Sequence, residues 1–371
     1  MNNWEFTACR GLDKIERALP IEEWHRIFSG SETATMSHHP AMIMNWYRSF
    51  NVLWKLEPIV ISARSSSGHA VVYPLEKSYS DWRGLRARQL TPVGGQSHFD
   101  FQDPLVAGDG WSGSLSEGFW RSFKDFVRSS LRDCDHVILY RVRRELLNGA
   151  NGLAEPTPFP YLDLNGKRSL DEVLDACSRS HRGDVKRQIR RLSQKGELSL
   201  RIFGIDQTTE ATEELVRLFH AYDLQWRPKG DHVFMTALGR SFLEGVVRDL
   251  LPTGYLHFSV LHCGPRPIHW HVGFVFRNRF YYYKLAGDPQ WSNFSPGKVH
   301  TALLIEECAK KGIRFFDFLY GAEPYKSSWT STAYNLYRCD WWNGIRPLKS
   351  SWESLVRPVY RATKNLLKER F

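Results

Sequence analysis

The chain has 371 residues, a formal net charge of +10, 14% aromatic residues including 14 Trp, and six cysteines scattered without a C-x-x-C pair. That pattern argues against a disulfide framework and a structural metal, and no apolar run reaches the roughly 18 residues of a membrane-spanning helix. The length favours two domains, and the positive charge favours an anionic partner such as a nucleotide, an acidic carrier protein, RNA or a membrane surface.

The N-terminus MNNWEFTACR lacks a basic-then-apolar leader pattern, so a cytoplasmic location is expected. PIVISAR (58–64) and AVVYPLEK (70–77) flank Ser65-Ser66-Ser67-Gly68 and read as a β-hairpin. TPVGGQSHFDFQDP (91–104) reads as a loop. Ser114 or Ser116 is a candidate cap for a helix carrying Phe119, Phe123, Phe126, Val127 and Leu131, and HVILYRV follows as a strand. NGANGLAEPTPFP (148–160) is the best linker candidate, because its prolines and glycines punctuate any regular element.

Beyond it, Ser169-Leu170-Asp171-Glu172 matches a capping box ahead of Val173, Leu174 and Cys177. A basic helix follows, with Arg179, Arg182, Lys186, Arg187, Arg190, Arg191 and Lys195 around Val185, Ile189 and Leu192. A third helix places Ala211, Leu215, Leu218, Phe219, Tyr222 and Trp226 on one face. YLHFSVL and IHWHVGFVF make a second hairpin, FYYYKL a further strand, IRFFDFL another, and AYNLYRCDWW another still. Residues 350–371 read as a basic amphipathic helix, a candidate for peripheral membrane contact or for packing on the protein body. Both halves show hairpin, helix, strand, which suggests a duplicated α/β unit.

The segment 293–329 carries the densest chemistry. Ser295, Pro296, Gly297 and Lys298 open a helix: proline suits its first turn, and glycine allows close approach to a backbone whose free N–H groups attract phosphate. Ser-Pro-Gly is also a common way to start any helix. Strand alternation puts Asp317 on the side of Ile313, Phe315 and Leu319, so it is either a hydrogen-bonded structural acid or a cleft acid and candidate catalytic base. Glu323, Tyr325 and Lys326 follow within a few residues as candidate base, acid and oxyanion or phosphate partner.

On these residues a resemblance rests. HRGDVKRQIRRLSQKGEL, LVRLFHAYDLQWRPKG, FYYYKLAGD and SPGKVHTALLIEECAKKGIRFFDFLYGAEPYKSSW resemble the GNAT-type acyltransferase domain of the CelD-like (cellulose-biosynthesis) and Fem-related family. TATMSHHPAMIMNWYRSF and AVVYPLEK are similar to that family's N-terminal half. The resemblance implies an α/β, tandem GNAT-like (acyl-CoA N-acyltransferase) fold, with mixed central sheets flanked by helices. It divides the chain into a degenerate GNAT-like domain (1–155), an acyltransferase domain (156–345) and the C-terminal helix (346–371).

It further implies direct acyl transfer from a thioester, acyl-CoA or acyl carrier protein, to an amine or hydroxyl, with no permanently bound cofactor. The donor's phosphates would lie at Ser295–Lys298, with Lys326 nearby. The usual Q/R-x-x-G-x-G/A phosphate loop is absent, so aminoacyl-tRNA, the donor of Fem-type relatives, remains a rival, as does a non-catalytic scaffold in envelope polysaccharide synthesis.

His269 and His271 share one face of IHWHVGF, opposite Ile268, Trp270, Val272 and Phe274, and read as a polar cleft wall with His271 a candidate base. No third ligand at a useful spacing supports a metal. Arg182, Lys186, Arg187, Arg190 and Arg191 are a candidate dock for an acidic carrier or for tRNA, against the alternative of a solvated charged face. Tyr222, Trp226 and Tyr283 are candidates for the acceptor pocket, and core packing is the alternative for the first two.

Overall fold

The computed structural model describes residues 4–343 except 19–20, 52–55, 83–84, 96–97, 109, 112, 151–155, 228–229 and 231, so the helix expected over 346–371 lies outside the described residues. Residues 1–32, 51–155 and 337–371 form one compact unit, and residues 33–50 and 156–336 another.

The elements run in order β1 (Trp4–Arg10), α1 (Leu12–Ala18), α2 (Ile21–Gly30), α3 (Pro40–Phe50), β2 (Glu57–Ser65), β3 (Ala70–Trp82), β4 (Leu85–Pro92), β5 (Leu105–Ala107), α4 (Gly113–Ser130) and β6 (His136–Arg143). In the first unit β1, β2, β3 and β4 pair antiparallel in succession, and β6 lies parallel to β4. A parallel partner needs a crossover, and α4 supplies it. Phe119, Trp120, Phe123 and Val127 of α4 are buried in a core with Tyr73, Leu90, Val137 and Leu139. The helix begins at Gly113, so Ser116 lies inside it and is not its cap: its hydroxyl instead donates to the Leu146 and Asn148 carbonyls at 3.3 and 3.1 Å. Away from that core, Arg10 and Lys77 clamp Glu57 and Asp133, and this holds both carboxyls below the usual carboxylate range.

The second unit holds α3 and continues with β7 (Thr157–Asp163), α5 (Leu170–Leu174), α6 (Arg179–Ser193), β8 (Leu198–Ile202), α7 (Thr208–Trp226), α8 (Ala237–Leu250), β9 (Leu256–Cys263), β10 (Arg266–Phe276), β11 (Arg279–Gly287), α9 (Pro296–Lys310), β12 (Phe315–Asp317), α10 (Pro324–Ser327) and the first four residues of β13 (Ala333–Trp342). Here β8, β9, β10 and β11 pair antiparallel in succession, and β12 lies parallel to β11 through the α9 crossover. β7 then pairs antiparallel with β12, and Ala333–Leu336 with β7. The same order (four antiparallel strands, a helix, a parallel strand) occurs in both units, so the chain has the duplicated mixed α/β architecture the sequence suggests.

Two local expectations change. The linker candidate ends early, because β7 begins at Thr157 despite Pro158 and Pro160. β12 pairs only with Tyr161–Asp163, so the prolines sit where one flank of β7 carries no ladder for them to break. Ile268 joins Leu192, Leu261 and Val299 in a core cluster and does not share Trp270's face, because the β9–β10 register shifts between Pro267 and His269.

Candidate functional site

The parallel ladder of β11 and β12 stops early. Its pairs are Arg279 with Phe315, Phe280 with Phe316 and Tyr281 with Asp317, after which β11 runs on to Gly287 while β12 ends. The chain leaves β12 through Leu319, whose φ of 60° is left-handed and costly for a branched side chain. Asp317 stabilises this exit by accepting the Leu319 N–H at 2.9 Å. On its other flank β11 carries a bulge. Phe274 pairs with Tyr281 but Val272 pairs with Lys284, so β11 holds one extra residue at Tyr282–Tyr283. A bulge leaves backbone groups out of the ladder. The matching β3–β4 ladder of the first unit runs without a shift. The second unit therefore leaves β11 beyond Tyr281 without a paired β12 residue, an opening in the ladder beside a bulged strand.

Asp317 is fully buried and does not face that opening as a free acid. Arg279 Nη1 donates to it at 2.7 Å and the Tyr334 hydroxyl at 2.8 Å. The Arg279 guanidinium in turn lies 4.6 Å from the Phe315 ring and 5.7 Å from the rings of Tyr161 and Tyr334. Burial pushes the Asp317 carboxyl up, against the opposing pull of Arg279, Leu319 and Tyr334. Its bonds make it a strut for the strand exit. Glu323, Tyr325 and Lys326 are not among its partners.

Lys326 also departs from expectation. It is 3% exposed, and its ammonium lies 2.5 Å from the Tyr320 carbonyl, 3.4 Å from those of Leu319 and Gly321, and 2.8 Å from Glu323 Oε2. It closes the loop after β12 and is not presented to a phosphate. Glu323 remains half-exposed at the start of α10. Tyr325 is 42% exposed, its ring edge-on to Phe318, and its hydroxyl makes no hydrogen bond among the described residues. Burial, with Tyr282 and Glu323 nearby, pushes the Tyr325 phenol up, so it stays protonated at neutral pH.

At the start of α9, Ser295 adopts φ 50° and ψ 52°, and its side chain makes no cap. Pro296 has no N–H, and the amides of Lys298 and Val299 bond to the Ser295 carbonyl. Gly297 is left with the one unbonded first-turn N–H among the described residues. Lys298 is ion-paired with Asp184 of α6, which neutralises the charge expected to meet a phosphate directly.

His271 is 0% exposed, lies 4.5 Å from the Tyr282 ring in a stacked pair, and is kept neutral by burial well below the usual histidine range. It is an interior residue and not a cleft wall, because α9 covers this face of the sheet. Around it gather His257, His269 and His300. Among the described residues no set of three His, Cys, Asp or Glu side chains converges as metal ligands.

The opposite side of β11 brings the three acceptor-pocket candidates into one aromatic group. The Tyr222 hydroxyl lies 2.9 Å from His232 Nδ1, and Trp226 stacks on Tyr222 at 5.9 Å. Phe234 follows at 6.2 Å from Tyr222, and Lys284 Nζ sits 4.9 Å above Phe234 and 4.5 Å from the Tyr283 ring. His232 is pushed down to about 4 by burial and by Lys284.

On α6, Arg182 pairs with Asp175, Lys186 with Asp171 and Arg187 with Asp184, while Arg190 and Arg191 are exposed. The helix is less positive than its sequence implies. No helix of the described residues is long and apolar enough to cross a membrane.

The sequence reading missed Arg279, Tyr334, Ser259 and His300, since each matters through a partner distant in the chain. The nearest signal was an arginine at the start of one strand, two residues out of register with an aspartate on the strand parallel to it.

Residues 179–327 match the family model of an acetyltransferase (GNAT) domain. FemX superposes with a TM-score of 0.56 at 10% identity, over 90% of this chain and 98% of its own. The C-terminal domain of a putative lysylphosphatidylglycerol synthetase from Agrobacterium fabrum gives 0.54 at 11% identity, over 88% of this chain and 92% of its own. A conserved protein of unknown function from Bacteroides thetaiotaomicron VPI-5482 gives 0.52 at 11%, over 86% and 97%. At such identities the likeness is one of fold. No curated protein matches the chain significantly. The second unit thus matches the GNAT acetyltransferase domain model over residues 179–327, and the chain shares a tandem α/β fold with FemX.

Proposed function

We propose that the second unit transfers an acyl group directly from a thioester, acyl-CoA or acyl carrier protein, to an amine or hydroxyl. The acceptor belongs to the small-molecule, lipid or saccharide class that the CelD-like resemblance suggests, and the reaction takes place in the cytoplasm. One observation carries the reading: β11 is bulged at Tyr282–Tyr283 at the point where it parts from β12.

A thioester carbonyl in that opening accepts a backbone N–H released by the bulge, which stabilises the oxyanion as the acceptor attacks. Glu323, half-exposed, takes the proton from the attacking amine or hydroxyl, and Tyr325 gives its proton to the departing thiolate as the carbon–sulfur bond breaks. Asp317 and Lys326 hold the loop that carries both groups. The aromatic group of Tyr222, Trp226 and Tyr283 lines the acceptor side, with Lys284 beside it. Gly297 receives the donor's phosphate, and α6 offers Arg190 and Arg191 to an acidic carrier.

Calorimetric titration of the full chain with acetyl-CoA, with charged tRNA and with neither ligand tests this. Saturable binding of acetyl-CoA supports the reading. Binding of charged tRNA alone replaces the donor, and binding of neither favours a scaffold.

A further inference from the structure

A helix start with one unbonded N–H is a poor anion site, and Lys298 is already paired with Asp184. A second donor lies directly beside it. His269 is 3% exposed, and its ring occupies the space that side chains at two glycines would need. A Cβ on Gly287 would sit 2.9 Å from His269 Cδ2, and one on Gly297 would sit 3.2 Å from His269 Nε2. That Nε2 has no hydrogen-bond partner among the described residues, whereas Nδ1 lies 2.8 Å from His300 Nδ1.

The proton on His269 can be located by following the chain inward. His300 Nε2 is 3.0 Å from Ser259 Oγ, and Ser259 is fully buried with this as its one side-chain bond. A buried hydroxyl left without an acceptor is costly, so Ser259 donates to His300 Nε2. His300 then carries its proton on Nδ1 and donates it to His269 Nδ1. The His269 proton is left on Nε2, facing Gly297. Burial keeps both rings neutral, with His269 pushed down to about 3.

We propose that His269 is an anion-positioning residue, its Nε2–H joining the Gly297 N–H to hold a phosphate at the start of α9, with Ser259 and His300 fixing the tautomer. This rests on the acyl-donor reading in taking the anion to be the donor's phosphate. The aromatic interior turns a helix start that lacks the usual glycine-rich loop into a two-donor site, which accounts for glycine at both 287 and 297.

Nitrogen-15 NMR of the histidine-labelled full chain tests the site on the wild type, with His269→Gln supplying the assignment. The expected result is a neutral His269 protonated at Nε2, whose N–H signal moves saturably with millimolar inorganic pyrophosphate and does not move in Gly297→Asp. An Nδ1 proton, or a signal indifferent to pyrophosphate, overturns the proposal. In calorimetry, His269→Phe is expected to bind acetyl-CoA roughly tenfold to hundredfold more weakly, the loss of one hydrogen bond to a charged group, with part of the affinity restored in His269→Gln.

If His269→Phe binds acetyl-CoA as tightly as wild type, the His269 proposal fails while the donor reading stands. If pyrophosphate moves the His269 signal and acetyl-CoA does not bind, the anion site stands and the donor reading fails. Binding of neither removes both.

Discussion

Acidification gives a quantitative test of the buried histidines. His257 on β9 and His269 on β10 are each pushed down to about 3, chiefly by burial, with Lys311 adding to the effect at His257. In the unfolded chain both take up protons near pH 6.5. Below that value the unfolded state binds more protons than the folded one, so stability falls with falling pH until the folded value is reached. Between pH 7.5 and 5.0 each group costs about 2 kcal/mol, and the two together about 4 kcal/mol, against a total stability of about 5–15 kcal/mol. For a domain of this size these two alone lower Tm by roughly 8–16 °C, and His271 and His300, also kept neutral by burial, deepen the drop.

Glu57, Asp133 and Asp184 are held below the usual carboxylate range by their cationic partners, so they contribute little above pH 5. Asp317, pushed up by burial, works in the opposite direction as pH falls. His257→Phe separates these effects. Thermal unfolding followed by circular dichroism should show the variant losing about 2 kcal/mol less than wild type over the same pH interval. Identical pH profiles for the two proteins would refute the burial argument.

Other outcomes follow from the same geometry. Asp317→Asn leaves the partly buried Arg279 without its counter-charge and should destabilise the second unit by about 1.5–3 kcal/mol in urea unfolding. Tyr325→Phe should lower turnover about a hundredfold while leaving acetyl-CoA affinity unchanged, as expected for a proton donor that acts on the leaving group. Gly239→Ala should cost at least about 1–3 kcal/mol, because its Cβ would meet the Val233 carbonyl oxygen at 2.1 Å and backbone cannot swing aside.

Much of the fold was legible because periodicity reports which face is buried. The 58–77 hairpin, the helix from Thr208 to Trp226 and the helix opened by Ser-Pro-Gly all appear where the pattern puts them. Helix α8 is legible in the same way, since Phe242, Leu243, Val246, Val247 and Leu250 recur at helical spacing.

The site was less legible, since alternation tells which side a residue takes and not what covers that side. His269 and His271 alternate like a solvated face, yet α9 lies over them. Lys326 reads as an oxyanion or phosphate partner until the loop folds three carbonyls around it. The register shift that sets the bulge depends on how two strands pair, and no local pattern in FYYYKL announces it.

Hydrogen–deuterium exchange with and without acetyl-CoA tests the central claim most directly. Protection should concentrate in Tyr282–Gly287 of β11 and in the first turn of α9, with β3 and β4 of the first unit unchanged. Uniform exchange in both states, or protection confined to the first unit, would contradict the account.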